Sequence, residues 1–180
     1  MSGHAQSLRQ GKVGVIPTDT LYGIVASALN QDAIERVYNI KQRTPTKPPI
    51  ILISSLDDLA LFNITPTEGE RTILYAHWPG PVSIILPCDD ERFAYLHRGA
   101  HSLAFRLPDK ADLCALLVES GPLIAPSANP EGLPPAITIN EARAYFGDKV
   151  DFYIDSGEVA GHASHIIRIH PDGTTEDVRK

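Results

Sequence analysis

Cysteine is scarce in this chain: Cys88 and Cys114 are the only two. They could make one disulfide at most, and their spacing fits no zinc motif, so neither a disulfide-stapled nor a zinc-ribbon scaffold is expected. Long apolar runs are missing as well. None approaches the roughly 20 residues of a membrane span, and the polar stretch Met1 to Lys12 lacks the apolar core of an export signal. The expected setting is the cytoplasm, with both thiols reduced and no membrane partner. Positive charge is not in excess: 16 basic against 22 acidic residues give a net charge of −6. That argues against a broad, sequence-independent nucleic-acid surface, though a local basic pocket fits the same total. The G-x-x-x-x-G-K-[ST] and G-x-G-x-x-G loops are absent, and so is the G-x-S-x-G elbow. The seven histidines form no H-E-x-x-H pattern, and no metal site is expected.

What is present reads as one α/β domain spanning residues 1–180. At 43 % hydrophobic and 21 % charged residues, it is long enough to bury a substantial core. Apolar runs predict strands at 13–16, 49–53, 82–86, 103–106, 123–125, 152–154 and 166–169. Helices are predicted at 31–42, 67–76, 111–119 and 139–146, with a short one opening at Ser55 and Asp58. Asn30 is the expected cap of the first. Trp78-Pro79-Gly80-Pro81 must be a loop. The short connections after Phe152 predict antiparallel neighbours and a mixed sheet.

Two segments deliver small polar groups at the end of a strand. Leu123-Ile124-Ala125-Pro126 runs into Ser127-Ala128-Asn129, and Val15-Ile16-Pro17 into Thr18-Asp19-Thr20. α/β proteins bind ligands at such strand ends. Both segments also suit plain turns in which Ser, Thr and Asn cap their own backbone. Lys41-x-Arg43 closes the first predicted helix, and Lys47 follows in a proline-stiffened loop. These cations fit a phosphate site, and equally a solvated helix end facing the C-terminal dipole. Arg106 ends an apolar strand two residues before Pro108, where it fits either a carboxylate grip or a rim salt bridge. No histidine or acid stands beside Ser127 in sequence, so nothing marks it as a nucleophile.

Six segments in this order resemble the YrdC-like family of threonylcarbamoyl-AMP synthases: Pro17-Thr18-Asp19-Thr20-x-Tyr22-Gly23, Lys41-x-Arg43, Trp78-Pro79-Gly80-Pro81, Arg106-x-Pro108, Pro126-Ser127-Ala128-Asn129, and Asp155-x-Gly157 leading to Gly161-x-x-Ser164. The resemblance is to the short, single-domain members. It implies an open, twisted mixed sheet with helices around a concave, positively lined cavity. It also implies a reaction in which L-threonine, bicarbonate and ATP, with Mg²⁺, give threonylcarbamoyl-adenylate and pyrophosphate for tRNA modification. By matched position, Lys41 and Arg43 would be catalytic and would face the triphosphate. Lys47, Ser102, Ser127, Asn129 and Arg179 would contact ATP. Thr20, Arg106 and Ser164 would hold threonine. Leu52 and His165 stand where longer members place a histidine and a threonine. Family members can bind RNA on the concave surface, so weak RNA or tRNA contact is one expectation, and the lability of the adenylate adds a transient handoff to transfer enzymes. Two other readings stay open: an RNA-binding module without synthesis, and a related enzyme that uses another amino acid.

Overall fold

The computed structural model describes residues 2–170 and 172–180. Nine strands form one mixed sheet in the order β7-β1-β2-β6-β3-β5-β4-β8-β9. The strands are β1 (Gly14–Pro17), β2 (Tyr22–Ser27), β3 (Ile50–Leu52), β4 (Val82–Pro87), β5 (Ser102–Arg106), β6 (Leu123–Ile124), β7 (Phe152–Tyr153), β8 (His165–Ile169) and β9 (Thr175–Arg179). The helices are α1 (Ser2–Arg9), α2 (Gln31–Lys41), α3 (Glu68–His77), α4 (Ala94–His97), α5 (Ala111–Ser120) and α6 (Ile139–Phe146), with short 3₁₀ turns between some of them.

The sheet is covered on both faces. One face carries the larger core, which joins Tyr22, Ile24 and Ala26 of β2 to Ile34, Val37 and Tyr38 of α2 and to Phe62, Phe93 and Phe105. The other carries a smaller cluster, in which Ala5 and Leu8 of α1 meet Leu113, Leu116 and Leu117 of α5 over Val25, Leu52 and Leu123. A strand buried on both faces reads as a continuous apolar run rather than an alternating one. β2 is such a strand. The sequence reading had folded its first residues into a turn and placed no strand there.

The chain sets its helix starts with side chains. Asn30 Oδ1 accepts the Ala33 N–H at 3.0 Å, as expected of the α2 cap. Thr67 and Glu70 cap each other at the start of α3, with Thr67 N to Glu70 Oε2 at 2.7 Å. α6 starts from Thr138, whose side chain accepts from Glu141 N in a reciprocal cap. The loop at Trp78-Pro79-Gly80-Pro81 holds a cis peptide bond between its first two residues.

The last third of the chain departs from expectation. β7 and β8 are not neighbours. β7 lies parallel to β1 at one edge of the sheet, and β8 lies parallel to β4 near the other. Residues 154–164 therefore run from one side of the sheet to the other. β9, antiparallel to β8, closes the far edge. Its five residues are all exposed, so no apolar alternation announced it.

Candidate active site

A cavity of about 380 Å³ opens where the loops after β1, α2 and β6 meet the returning segment before β8. Its wall includes Thr18, Thr20, Arg43, Lys47, Arg106, Ser127, Asn129, Ser164 and Arg179. Eight of the ten residues named from the sequence thus share one wall. Two do not. Ser102 sits at the opposite end of β5 from Arg106, and its hydroxyl donates to Ala100 O at 3.2 Å. Lys41 lies behind the wall. Four cations (Arg43, Lys47, Arg106 and Arg179) face the cavity, and no aspartate or glutamate does among the described residues. The sign of this pocket is opposite to that of the whole chain.

Lys41 is 2 % exposed, although it ends a helix. Its ammonium donates to the backbone carbonyls of Ser127 and Asn129. Glu131 N returns a bond to Lys41 O at 2.8 Å. The C-terminus of α2 and the Ser127–Asn129 loop are therefore clamped as one unit. Burial, and then the nearby Arg43 charge, push the Lys41 pKa down to about 7. Lys41 is therefore not a solvated helix end.

The loop after α2 is also built before any ligand arrives. Arg43 Nη2 donates to Pro48 O at 2.9 Å, and Tyr38 Oη to Lys47 O at 2.7 Å. Glu131 accepts from Thr44 N and pairs with Lys47 at 3.3 Å. The Thr44 N–H and then the Lys47 contacts hold the Glu131 carboxyl down at about 2. Across the cavity, Ser127 Oγ donates to Asn129 Oδ1 at 2.6 Å, while Asn129 Nδ2 donates to Leu133 O at 2.7 Å. The self-capping turn is real, and Ser127 and Asn129 also line the cavity. Among the described residues the Ser127 hydroxyl hydrogen-bonds to Asn129 and to no histidine or carboxylate.

Arg106 is 3 % exposed and paired with Asp19 at 2.9 Å. Burial lowers its pKa, Asp19 opposes that shift, and Arg179 adds to it. Arg106 Nε and Asp19 Oδ2 find no hydrogen-bond partner among the described residues. Arg179 is anchored by Nε and Nη2 on Ser164 O, at 3.2 and 2.8 Å. Thr18 Oγ1 caps Leu21 O at 2.7 Å and lies 3.1 Å from Thr20 Oγ1. Asp19 was named from the sequence only as part of a motif. Its pairing with a residue 87 positions away leaves no local signal.

The Sua5/YciO/YrdC family model, described as telomere recombination, matches residues 6–180. The chain belongs to this family. A threonylcarbamoyl-AMP synthase of Bacillus subtilis is 36 % identical over 132 residues, covering 72 % of this chain and 38 % of that protein. One from Marinobacter nauticus is 32 % identical over 148 residues, covering 81 % of this chain and 78 % of that protein. The crystal structure of P. abyssi Sua5 complexed with L-threonine superposes with a TM-score of 0.86 at 31 % identity, over 93 % of this chain and 50 % of that one. The chain thus spans well under half of the first relative and half of the archaeal structure.

Within this Sua5/YciO/YrdC chain, Leu52 and His165, set apart in the sequence reading, lie outside the cavity wall. Leu52 is buried in the smaller core, and His165 pairs with Asp177 at 2.7 Å. The returning segment instead contributes Ala163 and Ser164. It passes so close to the Thr20 loop that a Cβ on Gly161 would sit 1.8 Å from Thr20 O. Gly161→Ala must push the two segments apart. The expected cost is about 1–3 kcal/mol of overpacking, with a weaker hold on any ligand that touches Thr20 or Ser164. Thermal melts and ligand titrations of the variant check this, and an unchanged protein would show that the segment yields freely.

Proposed function

We propose that this chain forms L-threonylcarbamoyl-adenylate and pyrophosphate from L-threonine, bicarbonate and ATP, the product serving threonylcarbamoyl modification of tRNA. The observation that carries the reading is the cation-lined cavity without a carboxylate, with a buried arginine in its wall. The threonine complex of P. abyssi Sua5, at 31 % identity, supports the amino-acid assignment.

The chemistry asks little covalent work of the protein. The threonine amine loses a proton, and its nitrogen bonds to the bicarbonate carbon as water leaves. A carbamate oxygen then attacks the α-phosphorus, and the bond to pyrophosphate breaks. Charge accumulates on phosphate oxygens, where preorganised cations lower the barrier. Arg43, Lys47 and Arg179 are the groups available for that role, with Arg106 on the threonine carboxylate. Thr20 and Ser164 supply hydroxyl contacts to threonine, and Ser127 and Asn129 contact the nucleotide. Lys41 acts by holding the Ser127–Asn129 loop in place.

Mg²⁺ would enter with the triphosphate and neutralise part of its charge. The wall offers it hydroxyls and an amide but no carboxylate, and Glu131 is engaged by Thr44 and Lys47. The fold does not fit a resident magnesium site, and no step is assigned to one.

Pyrophosphate release measured with a panel of amino acids tests the proposal. Release that requires ATP and bicarbonate and is fastest with L-threonine is expected. Equal or faster turnover with another amino acid sinks the threonine assignment. RNA binding without pyrophosphate release sinks the synthase.

A further inference from the structure

A second constellation lies in the connection between β4 and β5, away from the cavity. Glu91, His97 and His101 each bring one ligand atom within 4.8 Å of the others. None of the three lines the cavity. His97 ends α4 and is 2 % exposed. Its Nε2 is enclosed and finds no hydrogen-bond partner among the described residues. A polar nitrogen in that position ordinarily has a partner, and its absence points to one that arrives from outside.

His101 approaches from the other side, its ring centroid 5.1 Å from that of His97. Its Nδ1 lies 3.4 Å from Asp89 Oδ1. A carboxylate beside one imidazole nitrogen favours a proton there and leaves the other free to ligate. The loop is pinned at its base, where Cys88 N donates to His101 O at 2.9 Å. Glu91 supplies the negative charge that a divalent cation needs.

We propose that Glu91, His97 and His101 bind one zinc ion, with water in the open position and Asp89 orienting His101. Two imidazoles and one carboxylate match zinc, whereas Mg²⁺ and Ca²⁺ take sets of oxygens. Ligation through His97 Nε2 places that ring's proton on Nδ1, which in the free fold accepts the Gly99 N–H at 3.2 Å. That contact is at the long end of the normal range, a weak bond for the ion to displace.

Calorimetry and thermal melts of the full chain with zinc chloride test this. Wild-type protein takes up one zinc per chain and melts at a higher temperature, because the ion binds the folded state. Magnesium chloride gives no such shift. His101→Ala and Glu91→Gln, both on the surface, reduce zinc affinity at least about tenfold, and Asp89→Asn reduces it about 10- to 100-fold. Cobalt(II) in place of zinc reports the same losses through its visible absorption. No uptake by wild-type protein overturns the proposal. So does uptake unchanged in His101→Ala, which would put the ion on other histidines such as His162 or His170.

Discussion

Arg106→Lys should raise the Michaelis constant for threonine by about 10- to 100-fold and leave that for ATP within about twofold. A guanidinium offers a planar fork that grips a carboxylate through two parallel bonds, while lysine offers a point charge. One charged hydrogen bond is worth roughly 1.5–3 kcal/mol, which sets the size of the effect. The side chain is held ready by the buried Asp19, 2.9 Å away. A companion change, Asp19→Asn, tests that hold. It leaves a buried guanidinium without its counter-charge, and removing one partner of a buried pair costs about 3–5 kcal/mol. The Asn variant should therefore melt lower and also bind threonine less well. Paired titrations of threonine and ATP decide the matter. A selective ATP defect in Arg106→Lys would place this arginine on the wrong substrate. A surface salt bridge would change neither constant, and the burial of both partners already argues against one.

Lys41→Met should destabilise the fold by about 2–5 kcal/mol, because two enclosed carbonyls, on Ser127 and Asn129, lose their donor at about 1–3 kcal/mol each. A helix-end cation in solvent would cost no more than about 1 kcal/mol. The effect depends on pH in a defined direction. The folded lysine titrates at about 7 and the unfolded one near 10.5. Below about pH 7 both states carry the proton. Between those values only the unfolded chain binds it, so the wild-type protein gains stability as pH rises through that window. Methionine has no such gain. The destabilisation by Lys41→Met should accordingly be larger at pH 9 than at pH 6.5, as measured by denaturant unfolding. Equal values at the two pH values would mean that the lysine stays charged in the fold. Turnover should fall as well, since the loop bearing Ser127 and Asn129 loses its clamp.

The wall of the cavity was largely legible because its residues come in short contiguous motifs. Thr18 to Thr20, Arg43 to Lys47 and Ser127 to Asn129 each place their polar groups in one loop, where turn chemistry fixes direction. What stayed hidden rests on pairing across long separations. Asp19 is informative only beside Arg106, and the burial of Lys41 only beside Ser127. Ser102 was assigned by matched position, but it lies at the other end of its strand from Arg106. The fold class followed from alternating elements, yet three elements gave no periodic signal. α1 buries only Ala5 and Leu8, β2 is apolar on both faces, and β9 is exposed throughout. The antiparallel order expected after Phe152 was a local inference from loop length. The chain instead carries β8 across the sheet to pair with β4, which no short-range rule encodes.

That crossing has a consequence for biosynthesis. Three cations of the cavity, at positions 43, 47 and 106, leave the ribosome well before Ser164 and Arg179. β8 pairs with β4, far back along the chain, so that contact closes late and over a long loop, whereas β8 and β9 form a local hairpin. A nascent polypeptide stopped after β6 would carry a half-built trough, with its positive charge open to solvent. Anionic ligands can act on such an intermediate only as loose counterions. Enclosure, and with it selectivity, is acquired only once β8 has been made and paired with β4.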